Sequence, residues 1–149
     1  MSATAKQIEA QRENAEIHHG SAACRQKFLE LLEEFSVPLC VFLMTEVEGA
    51  ELVEFGFNRA TGFFWLRQKA KTQRKMSKTS TLYYDVEVTG FIEERRLSQI
   101  VGVKGKELLV KLPICEIIVG YPTADKVKCV AAAGMSRVSP LTDYQNAAK

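Results

Sequence analysis

Histidine is almost missing from this chain. Only His18 and His19 are present, so near-neutral general bases are confined to one adjacent pair. Neighbours on a strand or helix aim in different directions, and both lie beside a polar, poorly patterned N-terminal stretch. A Ser–His or Cys–His hydrolase would have to bring one of them onto the rest of the domain. Cys24, five residues past His19, fits neither a metal pair nor a dyad on one helix.

Long apolar runs are also lacking. Leu39–Met44 is far short of the roughly 18 residues that a membrane span requires. Met1–Gly20 carries Lys6, Glu9, Arg12, Glu13 and Glu16 and lacks the apolar centre of a secretory signal. These features give the expectation of a cytoplasmic protein without a transmembrane segment. Charge of one sign is missing as well: 20 Lys and Arg face 18 Asp and Glu, for a net charge of +2. So small an excess argues against nucleic acid as partner of the whole domain. The four cysteines, Cys24, Cys40, Cys115 and Cys129, contain no close pair of the kind zinc modules use, so no metal is expected. Each has apolar neighbours and reads as a reduced thiol acting as a small hydrophobe.

Two motifs fail on inspection. Gly105-Lys106 resembles a phosphate-binding loop, but Ile100 stands where its first Gly belongs and Glu107 where Ser or Thr must follow. Gly134-Met135-Ser136 begins like a nucleophile elbow, but Val138 replaces the second Gly. No catalytic residue and no cofactor site are expected.

What is present is mostly strand language. Ser21–Phe35 is the one well-patterned helix, with Cys24, Phe28, Leu31, Leu32 and Phe35 on a single stripe. Arg25 and Lys27 near its start and Glu30, Glu33 and Glu34 near its end oppose the helix dipole. It must therefore be held by packing or by a basic partner at its acidic end. Ser36-Val37-Pro38 stops it. Leu39–Met44 reads as a buried apolar run. Leu52–Phe57 and Phe63–Lys69 read as a hairpin around Asn58–Gly62. Leu82 to Glu93 alternates with period two. Leu97–Lys104 follows, then Leu108–Val119, whose phase slips near Pro113 or Glu116 as at a bulge. Val127–Val130 and Met135–Val138 form a closing hairpin.

The expected fold is mainly β with an N-terminal helix: an antiparallel two-sheet sandwich or partly open barrel of about 7–9 strands. Residues 1–14, with a Thr4–Gln7 capping box but no apolar face, read as a flexible or weakly helical segment. Residues 15–144 form one globular domain, and 145–149 a disordered tail.

One surface stands out. Arg67, Lys69, Lys71, Arg74, Lys75 and Lys78 lie in a stretch without acids. Arg67, Lys69 and Lys71 share strand parity with Trp65 and Phe63, so one strand face runs from aromatic to cationic. That suits an amphiphile with an anionic head, and makes Trp65, Arg67, Lys69 and Lys71 the candidate ligand-binding residues. The competing structural reading has Glu30, Glu33 and Glu34 offsetting the strip and Trp65 filling the core.

Four strings carry a family resemblance: Ala15-Glu16-Ile17-His18-His19-Gly20, Gly56–Leu66, Tyr84–Gly90 and Gly102–Glu107. Together they resemble the plant domain-of-unknown-function 538 family over about Ala15 to Tyr144. The resemblance implies a plant protein with a β-rich, barrel-like or two-sheet domain, and brings no established reaction or catalytic residues. The family has been likened to bactericidal/permeability-increasing lipid-binding proteins, which implies a lipid-like ligand. Its members tend to carry a secretion signal, so secreted relatives are expected. The functional expectation is a non-enzymatic binding module for a lipid or other amphiphile. The alternatives are a hydrolase of hydrophobic esters using His19 and Ser136, and a protein-interaction domain using the basic strip.

Overall fold

The structure is a computed structural model that describes residues 5–148, with side chains from Glu9 onward. The Thr4–Gln7 capping box lies outside the described residues. In chain order the elements are α1 (Ala5–Glu13), β1 (Glu16–His19), α2 (Ser21–Glu34), β2 (Leu52–Asn58), β3 (Phe63–Gln68), β4 (Thr72–Lys75) and β5 (Ser80–Glu93). They continue as β6 (Arg96–Glu107), β7 (Val110–Val119), β8 (Lys126–Ala131), β9 (Ser136–Pro140) and α3 (Leu141–Ala147).

The mainly β, antiparallel expectation holds. The nine strands among the described residues form one open sheet in the order β1-β2-β3-β5-β6-β7-β8-β9, with β4 also paired to β5. β5 is long enough to serve two partners along one edge. Its Glu87–Phe91 segment pairs with β3 and its Thr81–Tyr84 segment with β4. The phase slip in β7 is real: pairing with β8 shifts between Ile114 and Glu116.

One face of the sheet carries the main core. The α2 stripe buries Cys24, Phe28, Leu31 and Leu32, and Phe28 meets Phe42, Phe55 and Phe64 at centroid distances of 5.4, 5.6 and 5.8 Å. Packing holds this helix, as its charge pattern requires. Partners for its ends come from elsewhere: Arg25 donates to Glu46, and Arg59 to Glu34 at 2.6 Å. Arg25 and Glu34, two of the charges that oppose the dipole, are thereby offset. Ser36 takes φ 57° and Val37 N–H donates to the Leu32 carbonyl, ending the helix. The run from Leu39 is buried over Val41–Met44, as expected. It is built as two short 3-10 turns, Leu39–Val41 and Met44–Glu46, and not as a strand. The Leu43 N–H is satisfied by the Tyr84 hydroxyl.

The other face of β2–β3 is sealed by Trp65 and α1. Trp65 is 1% exposed and sits directly across from Gly56. A Cβ on Gly56 would lie 2.2 Å from the indole ring, so only glycine lets the ring lie flat there. The indole N–H donates to Glu54 at 2.7 Å. Arg12 of α1 stacks over the indole at 4.7 Å and donates to Glu87 at 2.7 Å. The Gln11 carbonyl accepts from Asn58 at 3.0 Å. α1 therefore docks through polar and cation–π contacts, which explains a helix without an apolar stripe. With both faces covered, Phe63, Phe64, Trp65 and Leu66 are all buried.

Three features differ from the sequence reading. β1 and β4 were not anticipated, because Glu-Ile-His-His and Thr-Gln-Arg-Lys offer little apolar alternation and gain their structure from ladder hydrogen bonds. Residues 145–147, assigned to a disordered tail, continue α3. Tyr144 packs against the core, and Arg74 donates to the Ala147 carbonyl at 3.1 Å, which ties down the helix end.

Gly56→Ala is expected to destabilise the fold by about 1–3 kcal/mol, the usual cost of overpacking a filled site. Denaturant unfolding followed by fluorescence of the only tryptophan measures this; an unchanged midpoint would contradict the Trp65–Gly56 contact as a packing constraint.

Candidate functional site

The residues of the basic strip go to separate places. Trp65 and Arg67 meet around one carboxylate: Arg67 lies 3.4 Å from Glu54 and donates to Glu87 at 3.1 Å. His19 approaches Glu54 at 3.1 Å from β1. Burial pushes the Glu54 carboxyl up, but the Trp65 and His19 hydrogen bonds and the Arg67 charge outweigh it and hold the group below its usual range. A carboxylate held that way is a structural anchor and a poor proton acceptor near neutrality. Lys69 pairs with Glu51 at 2.9 Å. Lys69 and Lys71 line a hollow of about 320 Å³ that also contains Glu48 and Glu51. The acids that balance Arg67 and Lys69 are thus Glu51, Glu54 and Glu87, and Glu34 is taken by Arg59.

His18 stacks on Phe55 with ring centroids 6.0 Å apart. Ser136 lies on β9, the last strand in the order, while His19 lies on β1, the first. The two groups of the hydrolase alternative therefore occupy opposite edge strands. Among the described residues, no three His, Cys, Asp or Glu side chains gather as a metal cage.

A larger cavity lies elsewhere. A space of about 730 Å³ opens between α3 and the adjoining ends of β5–β9. It is on the α2-covered face, because Leu82 shares strand parity with the core residue Tyr84 and itself packs against the core. Its origin is legible in the register. Leu82, Gly105 and Leu112 lie in one cross-strand row, and Ile114 stands opposite Ala131. A missing and a small side chain thus alternate with large ones, leaving a trough with leucine and isoleucine walls. A Cβ on Gly105 would approach the Ile114 δ-carbon to 3.1 Å. α3 roofs the trough with Tyr144 but supplies only small or polar neighbours, Asp143, Asn146 and Ala147.

The wall is electrically quiet. Burial pushes the Cys129 thiol up to about 11 and the Tyr144 phenol up to about 12, so both are neutral at ordinary pH. Charge appears where Arg137 and Glu107 form an ion pair and where Lys106 and Asp143 join the lining. Val110 and Met135 belong to the lining and are each 57% exposed, which marks them as the mouth. The volume falls within the roughly 300–1,000 Å³ of small-molecule sites, and an apolar wall with few polar groups is their usual chemistry. Sequence reading missed this site. Leu108–Val119, which supplies one wall, carried only the signal of a strand with a phase slip.

The raised Cys129 thiol links stability to pH. Its neutral form is favoured by the fold, so the contribution is complete below the ordinary thiol range near 8.5 and is lost as pH rises toward about 11. Unfolding free energy should decline over that window. Cys129→Ala should reduce the slope, by no more than about 1.4 kcal/mol per pH unit. An identical slope in the variant would contradict burial of this thiol.

No curated protein and no solved structure matches the chain significantly. The family model described as "Protein of unknown function, DUF538" matches residues 28–145, from the α2 stripe through β9 into α3. That span contains the Gly56–Trp65 pair, the β5–β6 ladder and the cavity lining up to Tyr144. The chain belongs to the DUF538 family.

Proposed function

We propose that the protein is a binding module for a lipid or other amphiphile, held in the cavity between α3 and β5–β9. The observation that carries this reading is a largely apolar recess of about 730 Å³, with its charged groups at the edge, that opens at Val110 and Met135. Leaving Leu82 and Leu112 beside a water-filled space forfeits burial that a well-packed core would gain. A ligand chain restores it, at about 0.8 kcal/mol per methylene. Against an association cost of at least about 4 kcal/mol, a chain of about 14 methylenes would bind in the micromolar range.

This reading places the apolar body of the ligand away from Trp65 and Arg67, whose polar atoms are engaged by Glu54 and Glu87. It is also simpler than ester hydrolysis, which needs a base beside Ser136 while His19 is engaged by Glu54 on the far edge strand. No helix among the described residues is long and apolar enough to cross a membrane.

Titration with cis-parinaric acid, a fluorescent polyene fatty acid, tests the proposal. Saturable one-to-one binding, displaced by palmitate, is expected. Ala131→Trp, which fills the trough, should weaken it by at least about tenfold, and Lys69→Glu with Lys71→Glu should leave it unchanged. Absence of saturable binding, or full affinity in Ala131→Trp, would overturn the cavity reading. Loss on the lysine reversal would move the site to the strip. Turnover of a p-nitrophenyl ester that vanishes in Ser136→Ala would favour the hydrolase.

A further inference from the structure

The turn between β6 and β7 breaks the chemistry that such turns require. Glu107 pairs with Val110, so only Leu108 and Leu109 connect the strands. Two-residue hairpin turns favour Asn-Gly or a pair led by Gly, because both central residues or the first of them take positive φ. Here Leu108 adopts φ 55°, a conformation that disfavours a bulky side chain. Both leucines face outward as well: Leu108 is 68% and Leu109 95% exposed. A position that violates local propensity and solvation together, without a contact that rewards it, marks a functional site.

Its surroundings identify the partner. Val110 and Met135, the exposed mouth of the cavity, adjoin the turn in sequence or line the same opening. The Leu108 N–H donates to Thr79 at 2.8 Å, which holds the leucine turn against the Ser77–Ser80 turn that carries Lys78. Lys75, Lys78, Lys104 and Lys111 are exposed and Lys106 half-exposed. Among the described residues none of these five has a carboxylate partner; Lys111 lies instead over the Tyr83 ring at 3.9 Å. Glu107, the one acid in the turn, is taken by Arg137. A chain of nearly balanced charge thus places an unneutralised cationic collar around a protruding apolar tip.

We infer that the β6–β7 turn is a membrane-docking tip: Leu108 and Leu109 insert at the interface of an anionic bilayer while the surrounding lysines contact lipid phosphates. Apolar side chains reaching the acyl boundary and basic residues at the headgroups reinforce one another. A second protein would offer no reason for five lysines without carboxylate partners unless it were strongly acidic, whereas an anionic bilayer satisfies tip and collar together. Docked in this way, the mouth at Val110 and Met135 faces the lipid, so an amphiphile passes between bilayer and cavity without crossing bulk water. This inference rests on the cavity as the ligand's seat and adds how the ligand reaches it.

The test is co-sedimentation of the full chain with vesicles of phosphatidylcholine alone or with about 30% phosphatidylserine. The comparison is the variant carrying Leu108→Gly and Leu109→Asn, which puts glycine at the positive-φ position of the turn. The wild type should sediment with the anionic vesicles, weakly with the neutral ones, and lose binding as salt rises. The double variant should melt no lower than wild type and partition at least about tenfold less. Failure of the wild type to bind anionic vesicles, equal binding by the double variant, or indifference to lipid charge would overturn the inference. So would a wild-type dimer that becomes monomeric in the variant, since the tip would then be covered by a second copy. Binding of soluble cis-parinaric acid without vesicles, measured in the same variant, separates the two proposals: it should persist, and its absence from both proteins would implicate the cavity reading instead.

Discussion

An antiparallel sheet of this length needs more apolar cover than the chain supplies. The described helix with a broad apolar stripe is α2, and it is spent on β1–β3, where Phe28 joins Phe42, Phe55 and Phe64. Further along the order, cover falls to the seven residues of α3, which contribute Leu141 and Tyr144 to the core and otherwise bring only small or polar side chains to the cavity that Leu82 and Leu112 line. The shortage of cover at this end has a cost in unburied apolar surface. It also creates the cavity, so stability and proposed function depend on the same imbalance.

The well-covered end is over-determined by comparison. β3 is buried on both faces, by the α2 core on one side and by Trp65 under Arg12 on the other. Gly56 lets the indole lie flat, and Glu54 gathers its N–H, His19 and Arg67. A network satisfied in this way behaves as a rigid strut, because moving one member strands the others in a poorly solvated site. The two histidines and the front of the basic strip, the groups that most invited a chemical reading, belong to this strut or lie beside it.

How much of this was legible followed the range of the interactions concerned. The α2 stripe, the Asn58–Gly62 hairpin, the period-two run through β5 and the slip in β7 are written in neighbouring side chains, and each stands in the structure. β1 and β4 are not, since short polar strands take their conformation from a partner's backbone. The basic strip looked continuous because its residues are close in sequence, but β3 ends at Gln68 and the chain turns before β4. That separates Arg67 from Lys69 and Lys71, and Arg67 and Lys69 meet acids that lie far away in sequence. The cavity was the least legible feature. It requires Leu82, Gly105, Leu112 and Ala131 to fall into register across four strands, with α3 placed over them, and no local window contains that arrangement. The leucine turn was visible only as the end of an apolar run. Its exposure and positive φ, which make it unusual, are properties of the fold.

The central claim is that the space under α3 is a ligand seat and not a packing defect. Methyl-resolved NMR during titration with palmitate tests it most directly. The account predicts saturable shifts and ligand contacts at the methyls of Leu82, Leu112, Ile114 and Met135, with Leu31 and Leu66 in the α2 core unmoved. Methyls that stay in place at saturating palmitate, or perturbations confined to the surroundings of Lys69 and Lys71, would contradict it.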